Sequence, residues 1–155
     1  RMSWGSWMPH KFKIAVSGCP RNCAEATIKD FGVVCVDSGY ELHVGGNGGI
    51  HVRATDLLCK VATEQEAMDT CAAFIQLYRE EARYLERTAP WIERVGVDYV
   101  KARIVDDPAG REALRARFLY SQSFSQDDPW AQRAEGAEAE HHAPMARFTP
   151  QRELA

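Results

Sequence analysis

The sequence has 155 residues, of which 45% are hydrophobic and 26% charged, with a net charge of −3 at pH 7. This composition is typical of a globular domain, and the slightly acidic balance excludes a strongly basic nucleic-acid-binding protein. No apolar run approaches the roughly 18 residues of a membrane-spanning helix, and the first residues lack the pattern of a secretory signal peptide. The five cysteines are therefore expected to be reduced thiols, metal ligands or core residues, and the protein is expected to be cytoplasmic.

Alternating apolar residues predict a first strand over residues 11–16. Phe12, Ile14 and Val16 should share one side of this strand, because successive side chains of a strand point to opposite faces. A turn sequence follows the strand, and a short helix is expected over residues 24–30.

A β-hairpin is predicted next, after Gly32 has ended the short helix. Residues 33–37 are rich in β-branched side chains, and residues 40–44 alternate again. Between the two runs, Ser38 and Gly39 form a two-residue turn signal.

The segment after the hairpin has weaker signals. The glycine-rich residues 45–49 are expected to break regular structure. Residues 50–53 should be extended, and residues 56–58 are expected to form a turn or a short helix.

The most regular pattern in the chain predicts a long helix over residues 63–87. Thr63 and Glu66 have the spacing of a capping box at its start. An apolar stripe with helical spacing should face the core. The stripe consists of Ala67, Cys71, Phe74, Ile75, Tyr78, Ala82 and Leu85.

Caps and apolar spacing predict three shorter helices, at residues 90–95, 98–105 and 108–121.

We therefore expect an α+β fold, in which a small antiparallel sheet is packed by helices on one face and extended by a helical C-terminal arm. Residues 1–87 would form the sheet domain, residues 88–122 the helical extension, and residues 123–155 a surface or disordered tail anchored by Trp130. The four tryptophans are expected to be packing anchors.

The most informative feature is a pair of cysteines, Cys19 and Cys23, placed between the end of a strand and the start of a helix. Backbone N–H groups at a helix N-terminus stabilise thiolates, and a thiolate is the form that binds soft metals. Taken alone, the C-x-x-x-C spacing also fits two half-buried thiols at a turn. Structural zinc and iron–sulfur clusters usually take four ligands, whereas Cys35, Cys59 and Cys71 are expected to lie in the core.

Residues 11–26, KFKIAVSGCPRNCAEA, resemble the second cysteine motif of the sirohaem and [4Fe–4S] sulfite and nitrite reductases. The wider stretch, from about Trp4 to Trp130, resembles the C-terminal part of the large subunits of assimilatory NAD(P)H nitrite reductases. The segment after Thr88 favours the nitrite enzymes, because the sulfite reductases share chiefly the cysteine loop. Further similar segments lie at residues 31–34, 42–49, 62–67, 88–96, 98–101 and 128–130.

The resemblance implies that Cys19 and Cys23 are ligands of a [4Fe–4S] cluster and that Cys23 also bridges to the sirohaem iron. It implies an upstream C-x5-C pair for the other two ligands, and FAD and NAD(P)H in upstream domains. The parent enzyme would reduce nitrite to ammonium with six electrons. This chain would be a piece of it, inactive alone and without an intact cofactor, and it would carry no catalytic residue.

Further cofactor-binding candidates lie in the cysteine loop and in the glycine-rich segment. Glycine lets the backbone approach a flat macrocycle closely, and cations can pair with the sirohaem carboxylates. A flexible hairpin exit and ordinary surface charges remain the alternatives. The candidates are Arg21, Asn22, Gly45, Gly46 and Asn47, with His51 and Arg53 as further carboxylate partners.

Two other functional classes remain open for the sequence. One is a non-catalytic ferredoxin-like docking module with free cysteines, and the other is a thiol redox switch at Cys19 and Cys23. The expected partners are upstream domains of the same chain, with a small nitrite reductase subunit as a further candidate. Neither nucleic acid nor a membrane is expected as a partner.

Overall fold

The structure is a computed structural model that describes residues 6–124 and 129–136. Six strands and five α-helices are assigned within these residues. The strands are β1 (Ile14–Ser17), β2 (Phe31–Val36), β3 (Gly39–Val44), β4 (Asn47–Gly48), β5 (Val52–Arg53) and β6 (Asp56–Val61). The helices are α1 (Glu64–Glu81), α2 (Thr88–Val95), α3 (Val97–Ile104), α4 (Pro108–Gln122) and α5 (Pro129–Ala134).

A four-stranded sheet in the order β1-β2-β3-β6 confirms the α+β class. The sheet is not wholly antiparallel, because β1 pairs with β2 in parallel while the other two pairs are antiparallel. The reason lies in the connection between β1 and β2. A 3₁₀ helix, Ala26–Ile28, lies in this connection, which carries the chain back so that β2 starts at the same end of the sheet as β1.

The predicted helix over residues 24–30 is wrong apart from this three-residue 3₁₀ turn. Gly32 does not end a helix either, since it pairs with Ala15 inside β2. A Cβ atom on Gly32 would overlap the backbone carbonyl oxygen of Ala26. The glycine therefore lets the 3₁₀ turn lie directly on the sheet.

The predicted hairpin is confirmed as β2–β3, but its turn lies one residue earlier than predicted: the turn residues are Asp37 and Ser38, because Gly39 already pairs with Val36. The prediction for residues 56–58 is wrong, since they begin strand β6. The glycine-rich segment also contains regular structure, because β4 and β5 form a small antiparallel hairpin. Strand β6 was missed because its pairing partner, β3, lies elsewhere in the chain.

Helix α1 begins as predicted, with both hydrogen bonds of the capping box between Thr63 and Glu66 present. It ends at Glu81, six residues before the predicted end, because Ala82 has an extended backbone. Leu85 is consequently exposed and leaves the predicted stripe. Its N–H donates to the backbone oxygen of Pro9, which ties this loop to the N-terminal segment.

An aromatic cluster fills the core between α1, the sheet and α2. Phe74 of α1 contacts Phe12, Phe31 and Trp91, with ring centroids 5.7–6.2 Å apart. Tyr78 packs one turn further along and contacts Trp91 at 5.6 Å. Of the predicted tryptophan anchors, Trp91 is confirmed, whereas Trp7 is 68% exposed.

The outer side of β1 is open. Ile14 and Val16, which were predicted to share a face, are 41% and 59% exposed. Together with Met68 and Cys71 of α1, they line an apolar groove of about 270 Å³. Helix α1 therefore leaves the face of the sheet at β1 partly uncovered.

The three shorter helices are confirmed, with Gly96 ending α2 and Asp107 capping α4. The predicted tail contains helix α5. Residues 125–128 and 137–155 and the side chain of Trp130 lie outside the described residues, so the tail and the proposed domain limits stay predictions. No helix within the described residues is long and apolar enough to cross a membrane.

Candidate metal centre

The cysteine loop lies between the end of β1 and the 3₁₀ turn. Phe31 and Val33 of β2 face the core, so Gly32 between them faces the opposite side of the sheet. The 3₁₀ turn packs on that side, against Gly32. The loop is therefore anchored to the face of the sheet opposite α1.

Both thiols of the loop are exposed and free, as predicted for metal ligands. The sequence predicted a helix dipole beside the two thiols. The observed dipole is much smaller, because the 3₁₀ turn has three residues and begins three residues after Cys23. The N–H of Asn22 is already engaged, since it donates to the carbonyl oxygen of Cys19 at 3.2 Å.

Asn22 lies between the two cysteines and is half-buried. Its Oδ1 accepts from the Ser17 hydroxyl at 3.2 Å and from the N–H of Thr27 at 3.4 Å. Its Nδ2 donates to Oγ1 of Thr27 at 2.6 Å. The amide thus connects the end of β1 with the 3₁₀ turn. Arg21, the other loop candidate, is exposed beside it.

The glycine-rich segment is explained by internal packing. The N–H groups of Gly45 and Gly46 donate to the carbonyl oxygens of Asp30 and Lys29. A Cβ atom on Gly46 would lie 2.6 Å from the carbonyl carbon of Ile28. Both glycines are buried, so packing accounts for their lack of a side chain, and their role in cofactor binding stays a prediction.

The other candidates of this segment also have partners within the fold. Asn47 donates to the backbone oxygen of His51 at 2.7 Å. The guanidinium of Arg53 donates to the oxygen of Gly45 and pairs with Asp56 at 2.7 Å. These contacts shape the β4–β5 hairpin, and a carboxylate partner for Arg53 would have to displace them.

A buried carboxylate, which the sequence analysis missed, holds this region together. Asp30 is fully buried and accepts from the N–H of Lys13 at 2.9 Å, from Nη2 of Arg87 at 2.7 Å and from the hydroxyl of Thr88. It therefore joins the chain before β1, the start of β2 and the start of α2. No local pattern signals this role, because Arg87 and Thr88 lie more than 50 residues away in the sequence.

The remaining three cysteines do not join the loop. Cys71 is buried in the core, and burial raises the pKa of its thiol to about 12. Cys59 and Cys35 are half-buried in the sheet. No three His, Cys, Asp or Glu residues within the described ranges are grouped to hold a metal ion. The exposed pair thus fits half of the usual ligand set of a [4Fe–4S] cluster.

The chain is a small α+β domain whose loop carries two exposed thiols, and a domain of this class can supply some of the ligands of a metal centre. The family described as the nitrite and sulphite reductase 4Fe-4S domain matches residues 2–112. The chain belongs to this family. The predicted resemblance is therefore confirmed, and with it the iron–sulfur cluster at the level of the family.

The individual proteins similar to this chain include nitrite and sulfite reductases. The chain is 54% identical over 122 residues to the nitrite reductase [NAD(P)H] of Bacillus subtilis, covering 79% of this chain and 15% of that protein. It is 43% identical over 107 residues to the nitrite reductase (NADH) large subunit of Escherichia coli, covering 68% and 13%. An assimilatory-type sulfite reductase of Nitratidesulfovibrio vulgaris is 32% identical over 101 residues, covering 65% and 46%. The chain thus spans less than one sixth of the two nitrite reductases.

Proposed function

We propose that this chain is part of an NAD(P)H-dependent nitrite reductase, in which Cys19 and Cys23 supply two of the four cluster ligands. The observation that carries the proposal is the separation of the five cysteines. The two on the loop are exposed, whereas Cys71 is in the core and Cys35 and Cys59 are half-buried in the sheet. In a chain of the 4Fe-4S family, the exposed loop pair is therefore the best placed of the five cysteines to bind a group outside the fold.

The remaining ligands would come from the same polypeptide outside this sequence. FAD and NAD(P)H would bind to upstream domains of that polypeptide, and Cys23 would also hold the sirohaem of the complete protein. A [4Fe–4S] cluster supplies one-electron relay, which the six-electron reduction of nitrite to ammonium requires. The partner expected first is therefore the rest of its own chain, with a small nitrite reductase subunit as a further candidate.

The residues of this chain would bind and orient the cluster. The thiolates of Cys19 and Cys23 would hold iron, and the amides of Arg21, Cys23 and Ala24 lie in the loop where they can donate to sulfur. Hydrogen bonds to sulfur and the degree of solvent exposure are the means by which a protein tunes a cluster potential. Asp30 holds the start of β2 against the chain before β1 and against the start of α2.

Nitrite is favoured over sulfite as the substrate. The chain is 54% and 43% identical to the two nitrite reductases, but 32% identical to the sulfite reductase. A nitrite reductase [NAD(P)H] from Emericella nidulans, at 42% identity over 111 residues, is likewise more similar to the chain than the sulfite reductase is.

The test uses the complete protein that contains this chain, with Cys19→Ser, Cys23→Ser and Cys35→Ser variants. Iron, acid-labile sulfide and the ammonium formed from nitrite with NADH or NADPH are measured for each variant. We expect both loop variants to lose the cluster and the activity, and Cys35→Ser to keep both. Full iron content and nitrite reduction in Cys23→Ser would refute the proposal.

The same experiment tests the two alternative functions. A docking module would contain no iron even as the complete protein. A thiol redox switch would show activity that changes reversibly as a Cys19–Cys23 disulfide forms and is reduced. Either result would replace the proposed function.

A further inference from the structure

We propose that Asn22 is the positioning residue of the cysteine loop, and that its side-chain amide fixes the relative placement of the Cys19 and Cys23 thiols. The proposal rests on the proposed function, because it concerns the two thiols as ligands. It gives Asn22 a role different from direct cofactor binding, since its amide is occupied within the fold.

The backbone of Asn22 is the pivot between the two cysteines. Its φ angle is 55°, in the left-handed region that asparagine enters more readily than most other residues. Its N–H donates to the oxygen of Cys19, and its own oxygen accepts from the N–H of Glu25 at 2.8 Å. Two consecutive turns therefore meet at this residue, one over residues 19–22 that begins at Cys19 and one over residues 22–25 that contains Cys23.

The side chain of Asn22 closes the base of the loop. Ser17, which donates to its Oδ1, is the last residue of β1 and is buried. Thr27, which is bonded to both ends of the amide, lies in the 3₁₀ turn. The two exposed thiols thus project from a loop whose two ends are joined by one amide.

Only an amide meets all of these demands. Its oxygen accepts from two donors while its nitrogen, a separate atom, donates to a third group. An ionised carboxylate has no donor, and a hydroxyl has a single oxygen atom for all three bonds. Glycine would tolerate the backbone angle but remove every side-chain bond. Alanine would remove the bonds and also strain the backbone. Comparing these two substitutions therefore separates the backbone role from the side-chain role.

The test measures how well the thiol pair is arranged, with Cd²⁺ alone as the probe and the 155-residue chain as the protein. Binding is followed by the thiolate-to-cadmium absorption band, with Cys19→Ser as the blank for binding at other cysteines. We expect one Cd²⁺ per wild-type chain and at least tenfold weaker binding in Asn22→Gly and in Asn22→Ala. Thr63→Ala, which removes a cap of α1 remote from the loop, controls for general destabilisation and should bind within twofold of wild type.

Wild-type-like affinity in Asn22→Gly would overturn the role of the side chain, and so would failure of the wild-type chain to bind Cd²⁺. Equal weakening in Thr63→Ala would show a merely structural effect and overturn the proposal as well. In the complete enzyme, Asn22→Gly should shift the reduction potential and the electron paramagnetic resonance signal of the cluster, while Thr63→Ala leaves both unchanged. An enzyme without a cluster would refute the proposed function, while the Cd²⁺ result would still decide the role of Asn22.

Discussion

The carboxylate of Asp30 is buried away from water. The fold tolerates its negative charge because hydrogen-bond donors from three segments of the chain surround the carboxylate. The backbone N–H of Lys13, the guanidinium of Arg87 and the hydroxyl of Thr88 all converge on its two oxygens. A buried charge that loses its partner is strongly unfavourable, because neither water nor a second group can replace it. This carboxylate therefore joins the chain before β1, the start of β2 and the start of α2.

We expect Asp30→Ala to lower the free energy of unfolding by about 3 kcal/mol or more, the loss typical of breaking a buried ion pair. Urea unfolding followed by circular dichroism measures it. Glu112→Ala, which breaks an exposed pair with Arg115, is the control and should cost less than about 1 kcal/mol. Similar losses in the two variants would contradict the role given to Asp30.

The close contact between Gly32 and the 3₁₀ turn leads to a second prediction for a single residue. Gly32→Ala would force a methyl group into the backbone of Ala26, so we expect it to destabilise the fold by about 3 kcal/mol. Gly18→Ala is the matched control, because its Cβ would meet open space. Its effect on the midpoint of thermal unfolding should be small, and a small effect of Gly32→Ala as well would disprove the packing argument.

At the scale of elements, helix α1 carries two groups that burial keeps neutral. Burial raises the pKa of Cys71 from 9.0 to about 12, and that of Tyr78 from 10.0 to about 12. The Tyr78 hydroxyl also donates to the backbone oxygen of Glu86. Since both folded pKa values lie above the unfolded ones, their contribution to stability is complete below pH 9 and is lost as the pH rises towards 12.

We therefore expect the urea midpoint to fall steeply between pH 9 and pH 12. Each group would contribute roughly 1.4 kcal/mol of lost stability per pH unit within its own window. Cys71→Ala should cost about 1 kcal/mol at pH 8, as a small core deletion, but its stability should then decline less steeply above pH 9. Parallel pH profiles for the two proteins would contradict the assignment to Cys71.

Local signals explain which elements the sequence predicts correctly. The capping box of Thr63 and Glu66, the turn between β2 and β3, and the Asp107 cap of α4 are all short-range features. The end of α1 is different, because the loop after Glu81 is held by the contact of Leu85 with Pro9. Strand β6 likewise depends on pairing with β3, which no window of sequence around residues 56–58 reveals.

The residues of the candidate site also divide into those that local sequence signals reveal and those that depend on contacts in the folded chain. Cys19 and Cys23 are recognisable from their spacing and from the resemblance of the residues around them. The internal hydrogen bonds of Asn22 could not be read from the sequence, because its side chain is equally suited to contact a cofactor. Asp30 was missed because its partner Arg87, which lies just before α2, is 57 residues away in the sequence.

For the whole molecule, the reactivity of the five cysteines should report on the fold. Cys19 and Cys23 are exposed, Cys35 and Cys59 are half-buried, and Cys71 is buried with a raised pKa. Because the thiolate is the reactive form, we expect iodoacetamide at pH 8 to modify the loop pair first and Cys71 only on unfolding. Peptide mass spectrometry measures each rate, and rapid modification of native Cys71 would contradict the structure.

The open side of β1 has a consequence for how the chain behaves in concentrated solution. Within the described residues β1 pairs only with β2, so its other edge offers free N–H and C=O groups beside the exposed Val16 and Ile14. An unprotected strand edge next to apolar side chains is a template for aggregation. We expect light scattering to show self-association of the 155-residue chain as its concentration rises, and Val16→Lys to suppress it without loss of fold. A chain that stays monomeric throughout would show that this edge is already protected.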